Sequence, residues 1–316
     1  MKQHTEISRR SFLGAITVAT CCGAISSFTP VTLFAGEVPA VEHPMQQPKN
    51  FTDKDRCPNC GMGLNMWART RHEFTNSEGS HGTCSIRCLA DMSKNSGEQP
   101  RDVKVALYLK PEQMVHGTSA VYVVGSSAKG TMTMNSKIAF DSREAAEKFT
   151  ARYGGTVTDY KKTLAMATME LGMSRPKIEA KRRKKGKFAE PSVDARCVVC
   201  DMYPARYPGY RCQATTTDKK RYHFCSTQCM VYFKADPKKY LGHEAKIKSY
   251  WVTALPDGGF EYGGSLYYLV GSSVMGPMGL EALPYRSKAD AQATAKKEGG
   301  RVVRFGELNP EVVMGS

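Results

Sequence analysis

Beyond residue 34 the sequence lacks any apolar run near bilayer length, and it is short of acid: thirty acidic against forty-five basic side chains, a formal charge of +15. The first lack excludes a polytopic membrane protein. Fully disordered and fibrous chains are excluded too, because 41% of the 316 residues are hydrophobic, enough for real cores. That length suggests two domains or one large one. Eleven cysteines are too few for a disulfide-dense mini-domain and too many to be incidental.

The one long apolar stretch, Phe12 to Phe34, follows Ser8-Arg9-Arg10-Ser11-Phe12-Leu13. This is the twin-arginine export pattern, and it predicts a signal segment over residues 1–35 with a linker over 36–55. Leu33-Phe34-Ala35 and Val38-Pro39-Ala40 both offer small-residue cleavage sites. Val18-Ala19-Thr20-Cys21 is an imperfect lipobox with Thr before the cysteine, so a lipid anchor is an alternative to cleavage. The expected destination is the periplasm.

The rest is a duplication. Cys57-x-x-Cys60 recurs as Cys197-x-x-Cys200 at an offset of 140, and Cys84-x-x-x-Cys88 as Cys225-x-x-x-Cys229 at 141. Tyr122-Val-Val-Gly-Ser-Ser127 matches Tyr268-Leu-Val-Gly-Ser-Ser273, Met132 falls on Met278, and Gly154-Gly155 on Gly299-Gly300. The repeats are assigned to residues 56–174 and 196–316. In repeat 1 a strand is expected from Trp67 to Phe74, then turn formers, a short strand ending at Cys84, a helix capped by Ser85, and a strand from Val103 to Leu109. Strands at Val121–Gly125 and Lys137–Phe140, a helix over 142–152 and a strand over 156–160 follow. The order β-β-α-β thus appears twice per repeat, which makes the fold class α+β.

Between the repeats, Arg175–Phe188 has eight basic residues and one Glu. It reads as part of a solvated basic linker over 175–195. Without interleaved aromatics it does not suit nucleic acid; an anionic membrane surface or an acidic protein is the better functional use. Met166, Met169 and Met173 form a helical stripe, expected to be packing, with a metal relay as its functional alternative.

Sulfur carries the chemistry. Cys60-Gly61-Met62 and Cys200-Asp201-Met202, if extended, send Cys and Met from one face, a soft pair that favours Cu(I). Gly61 permits a tight backbone, and Asp201 is a residue type that tolerates positive φ. Met132 and Met278 lie between the two strands of each second half, where a third sulfur would complete a low-coordinate Cu(I) site. Cys84, Cys88, Cys225 and Cys229 flank helix N-termini, which favour thiolates. With Cys57, Cys60, Cys197 and Cys200 they make two four-cysteine sets with zinc-ribbon-like spacing. Structural zinc or disulfides are the alternatives. His223 is placed to share a face with Cys225; Cys212 has no counterpart cysteine and reads as a buried thiol.

Cys197-Val-Val-Cys200-Asp-Met202, Tyr222-His-Phe-Cys225-Ser-Thr-Gln-Cys229 and Asp236-Pro237-Lys-Lys-Tyr240 resemble YHS/TRASH-type heavy-metal modules. The whole repeat, with its Cys-x-x-Cys-Gly-Met opening, Val-Gly-Ser-Ser strand, Pro-Met-Gly turn and Gly-Gly ending, resembles the NosL family. That resemblance implies tandem NosL/MerB-like repeats, each of two β-β-α-β units. It also implies a periplasmic, often lipid-anchored Cu(I)-binding accessory protein for nitrous oxide reductase, not an enzyme. The family's soft ligands fall on Cys60 and Met62, on Cys200 and Met202, on Met278, and less cleanly on Met132, which lacks the Pro and Gly neighbours. Two departures stand out: the duplication itself, and the added thiols Cys84 and Cys225.

The expected function is therefore a metallochaperone that hands Cu(I) to a client metalloprotein or copper transporter. A structural zinc-ribbon interaction module, or another heavy-metal-binding or resistance protein, is the alternative. A thiol–disulfide enzyme is disfavoured because the Cys-x-x-Cys pairs lack a strand-then-helix context. An organomercurial lyase would need a protonating Asp beside a cysteine pair, and only Asp201 comes near.

Overall fold

Each repeat opens on a turn that brings two cysteines three positions apart, Cys57/Cys60 and Cys197/Cys200, to one point. The computed structural model describes residues 55–133 and 135–315. The twin-arginine segment, both cleavage sites and Cys21 lie outside them. The stretch read as a strand from Trp67 splits instead: Asn65–Thr70 is a 3-10 turn and only His72–Asn76 is strand β1. It pairs antiparallel with β2 (Gly79–Thr83) across the expected turn. Ser85 then caps α1 (Ile86–Ser96), its side chain accepting from the Cys88 amide, and Gly97 closes the helix with left-handed backbone. The chain returns as β3 (Arg101–Ala106) and adds an edge strand, β4 (Met114–His116), giving the sheet order β2-β1-β3-β4.

The second half follows the same logic with β5 (Val121–Val124), β6 (Lys137–Phe140), α2 (Arg143–Tyr153) and β7 (Thr156–Thr158), in sheet order β6-β5-β7. Tyr108, Val123, Ile138, Phe140 and Phe149 are its apolar filling.

Asp159 caps a 25-residue helix, α3 (Tyr160–Lys184), accepting from the Lys162 amide at 2.8 Å. The boundary drawn at residue 174 falls inside this helix, and the basic run is not simply a solvated linker. Arg182 is largely buried and pairs with Glu261 at 3.0 Å while lying over the Trp251 ring. Phe188 is buried against Trp251 and Phe260 of the second repeat. Burying one such ring contributes roughly 2–3 kcal/mol. Tyr160, Leu164, Ala167 and Leu171 form the packed face of α3. The methionine stripe, expected to be packing, faces solvent.

Repeat 2 runs β8 (Cys212–Thr216), β9 (Arg221–Phe224), α4 (Thr227–Ala235), α5 (Pro237–Leu241), β10 (Ile247–Thr253) and β11 (Phe260–Tyr262). It continues with β12 (Tyr267–Val270), a hairpin β13–β14 (Met275–Gly276, Gly279–Leu280), β15 (Leu283–Tyr285), α6 (Lys288–Glu298), β16 (Arg301–Arg304) and α7 (Pro310–Met314). Its sheets, β9-β8-β10-β11 and β15-β12-β16, repeat the first pair strand for strand. The fold is α+β, with β-β-α-β used four times. Among the described residues no helix is long and apolar enough to cross a membrane.

Candidate metal centres

Both cysteine pairs are shaped by one backbone device. The Cys57 amide donates to Met62 O at 2.8 Å and the Gly61 amide to Cys57 O at 2.8 Å. In repeat 2 the Cys197 amide donates to Met202 O at 2.7 Å and Asp201 to Cys197 O at 2.8 Å. The stretch is thus a closed knuckle rather than extended chain. It needs left-handed backbone at its fifth residue, met by Gly61 (φ 70°) and by Asp201 (φ 63°). Arg56 and Arg196 each reach the carbonyl at that position, at 3.3 and 2.9 Å.

The helix supplies the other two thiols. Cys84 immediately precedes the cap residue Ser85, and Cys88 is the third residue of α1; Cys225 and Cys229 stand likewise about Ser226 and α4. As a result all four sulfurs of each set, Cys57/Cys60/Cys84/Cys88 and Cys197/Cys200/Cys225/Cys229, lie within 4.8 Å of one another. Cys60–Cys84 and Cys84–Cys88 are 3.5 and 3.6 Å apart, and Cys200–Cys225 and Cys225–Cys229 are 3.4 and 3.8 Å apart. A tetrahedral ion with sulfur ligands at about 2.3 Å has sulfur–sulfur edges of about 3.8 Å. The spacing fits one soft ion per set. All described cysteines are free thiols, so the disulfide alternative does not apply to them.

The predicted methionines collect at the same places. Met62 and Met132, with Trp67, pack against the first set, and Met132 is itself held at φ 58°. Met202 and Met278 pack against the core that contains the second set, and Met278 sits in the turn of the β13–β14 hairpin. His223 lies outside the four converging ligand atoms. Cys212 is buried, as expected, and has a structural counterpart after all. It faces Phe224 and Val252 where His72 faces Thr83 and Val105.

Electrostatics within a set show why a cation suits it. Hydrogen bonds from Cys57, Cys60 and Cys84 hold the Cys88 thiol well below its ordinary range. Cys60 and Cys84 are pushed up, foremost by the hydrogen-bonded Cys57 beside them. In set 2, bonds from Cys225 and Cys229 bring Cys197 down to about 2, while Cys225 and Cys229 are pushed up, first of all by Cys197. One thiolate is stabilised by its neighbours' S–H groups, and that same charge resists ionising them. A bound cation would supply the missing charge, and its uptake would expel the remaining protons.

The surroundings of the two sets differ, in ways the sequence did not signal. Asn59, within the first knuckle, donates to Asp91 at 3.1 Å, and Asp91 is also held by Arg87 and Arg175. The ring of Tyr262, from repeat 2, lies so close that a Cβ on Gly61 would stand 2.8 Å from it. Burial opposes a charge on Arg182, but Glu261 and the sulfurs of Cys60 and Cys88 more than offset this and raise its pKa. Knuckle 2 has Val199 and Tyr232 where knuckle 1 has Asn59 and Asp91. Cys60 is 6% exposed, whereas Cys200 is only partly buried.

Fold and site together define a tandem α+β protein with two preassembled four-thiol sets. The NosL family model matches residues 48–165 and 189–313, one match per repeat, and the chain belongs to the NosL family. A copper-binding lipoprotein NosL from Stutzerimonas stutzeri is 34% identical over 119 residues, 36% of this chain and 61% of that protein. The chain therefore spans less than two thirds of that relative. A crystal structure of the copper chaperone NosL from Shewanella denitrificans matches at 26% identity, over 39% of this chain and 95% of that one, with a TM-score of 0.34.

Proposed function

We propose that this protein is an exported copper(I) carrier that passes its ion to a periplasmic client such as nitrous oxide reductase, with the two four-cysteine sets and their methionines as its metal sites. The observation that carries the reading is the convergence of four thiols within 4.8 Å in each repeat, in a family that includes a copper-binding lipoprotein. Thiolate and thioether donors select Cu(I) over harder ions. Binding needs no catalytic group, only ligand exchange with the recipient. Met62, Met132, Met202 and Met278 are assigned as soft neighbours able to take part in that exchange.

The two sets are not assigned equal roles. Set 2, with Cys200 partly exposed, is the exchanging site. A closed structural ion, zinc or copper, is the reading favoured for set 1, since its four cysteines are 0–6% exposed and its knuckle is covered by Tyr262. Anaerobic titration of the reduced protein with Cu(I) against a competing chelator, with metal analysis, tests this. Cys200→Ser should abolish one exchangeable Cu(I). Protein that keeps stoichiometric zinc in both sets and takes up no Cu(I) would overturn the carrier reading. Export is tested separately, by locating the chain after Arg9→Lys/Arg10→Lys. Transfer to the metal-free form of nitrous oxide reductase tests the client.

A further inference from the structure

Large apolar side chains seldom stand in water together on one helix face. On α3 three do: Met166, Met169 and Met173 are 40%, 76% and 71% exposed. The core has no use for them, since α3 packs through Tyr160, Leu164, Ala167 and Leu171. Their spacing of three and then four residues makes each the surface neighbour of the next, with Cβ atoms about 5–6 Å apart. Long, flexible thioethers at that distance can close on one ion from two or three sides.

The helix that carries the stripe is also tied to a metal set. Glu170, next to Met169, accepts from Thr133 Oγ1 at 2.9 Å, Asn135 Nδ2 at 3.2 Å and Lys137 Nζ at 2.6 Å. These bonds clip the β5–β6 connection onto α3, and that connection carries Met132, which packs against Cys57, Cys60, Cys84 and Cys88. Helix α3 thus carries exposed thioethers on one face and, through Glu170, holds the connection whose Met132 packs against the first set.

We propose that Met166, Met169 and Met173 form a landing site for Cu(I) that feeds the first four-thiol set. The site rests on the copper reading above and adds a route by which the closed first set acquires its ion. Thioethers are neutral and need no deprotonation, so they bind a soft monovalent ion weakly at any pH. Copper moves inward as Cu(I) with no electron transferred: thioether–copper bonds break, thiolate–copper bonds form, and each thiol that binds gives its proton to water. Glu170, the acid next to Met169 in the chain, is already paired with Lys137 at 2.6 Å.

The test uses the full chain, reduced and anaerobic, with ¹³C-labelled methionine methyl groups assigned by single Met→Leu substitutions. Cu(I) should shift the three stripe signals together, and Zn(II) should leave them in place. M166L/M169L/M173L should lose that response and slow the filling of set 1, with final stoichiometry and melting unchanged. Stripe signals unmoved by Cu(I), signals moved only by anionic vesicles, or an unchanged filling rate would each overturn the proposal. A Cys60→Ser/Cys200→Ser chain separates the two readings. Stripe signals that respond there to Cu(I) uphold binding at the landing site, whereas thiol sets of the parent protein that take no copper would overturn the feeding step.

Discussion

Knuckle 1 and knuckle 2 share the same backbone hydrogen bonds, the same capped helix and four sulfurs at matching distances. What differs is what lies over them. The first is covered by the Tyr262 ring, by the Arg182–Glu261 pair and by the Asn59–Asp91–Arg175 chain. Beside the second is an exposed pair, Arg196 with Asp201 at 3.1 Å, of a kind worth about 0–1 kcal/mol. Duplication has thus kept the chemistry and changed the access. A ligand set closed by packing and buried charge exchanges its ion slowly, because a recipient's thiol must first displace the cover. A set with one partly exposed cysteine would offer a recipient that one ligand to approach first.

The strongest way to break this comparison is to remove a matched ligand from each set. Cys60→Ser opens a sealed, clamped site and should destabilise the metal-loaded protein by more than about 4 kcal/mol. Cys200→Ser should cost less than about 2 kcal/mol while abolishing exchangeable metal, since Cys200 is already partly exposed. Urea melts of both variants, each loaded with metal, check the contrast. Equal losses would mean that both sets are structural.

Acid should separate the repeats next. Burial lowers His72 from 6.5 to about 4, and its ring is neutral, Nδ1–H donating to Thr70 O at 3.0 Å and Nε2 accepting from Tyr122 at 3.1 Å. The unfolded chain takes up a proton below pH 6.5 and the folded one does not until about pH 4. Stability is therefore full above the higher value and falls as pH drops through that window, by about 3 kcal/mol. Cys212, in the matching place, is pushed up by burial and contributes nothing over this range. In reduced, metal-free protein, His72→Gln should flatten the pH slope. An unchanged slope would place the acid sensitivity elsewhere.

Exchanging the fifth residue of each knuckle isolates the cover itself. Gly61→Asp drives a Cβ into the Tyr262 ring and should cost about 2 kcal/mol while speeding metal release from set 1. Asp201→Gly loses an exposed ion pair but relieves a left-handed backbone, and should stay within about 0.5 kcal/mol.

Much of this fold was legible because its punctuation is local. Ser85 and Ser142 cap helices with their own side chains, Gly97 and Gly154 end them, and β6 spans Lys137–Phe140 as its apolar run predicts. The convergence of four thiols follows from Cys-x-x-Cys on a knuckle and Cys-x-x-x-Cys across a capped helix start. Two features were hidden. Helix α3 carries Pro176 and a basic run, both of which read as helix-ending or linker signals, yet its Leu164, Ala167 and Leu171 face is held by the core. The unequal covering of the sets depends on Tyr262, Glu261 and Arg182, residues dozens to hundreds of positions from the cysteines they shield. No periodicity or motif encodes such a contact; only the docking of one repeat on the other creates it.

The finest test asks whether a single hydrogen bond helps set the exchange rate. Asn59 is buried and donates to Asp91 at 3.1 Å, which fixes the first knuckle to α1. Its counterpart Val199 makes no such bond, because a valine side chain has neither donor nor acceptor. Asn59→Val therefore rebuilds the second knuckle's chemistry inside the first. Asp91 keeps Arg87 and Arg175, so no carboxylate is left unpaired, and the expected loss of stability is only about 1–2 kcal/mol. Metal release should respond more, by roughly 10–100-fold, as when a supporting partner of a ligand is removed. Stopped-flow transfer from set 1 to a chromophoric chelator, measured in Cys200→Ser protein so that only one site reports, reads this directly. A release rate that does not move would leave Tyr262 as the cover that matters and the Asn59 bond as a passive contact.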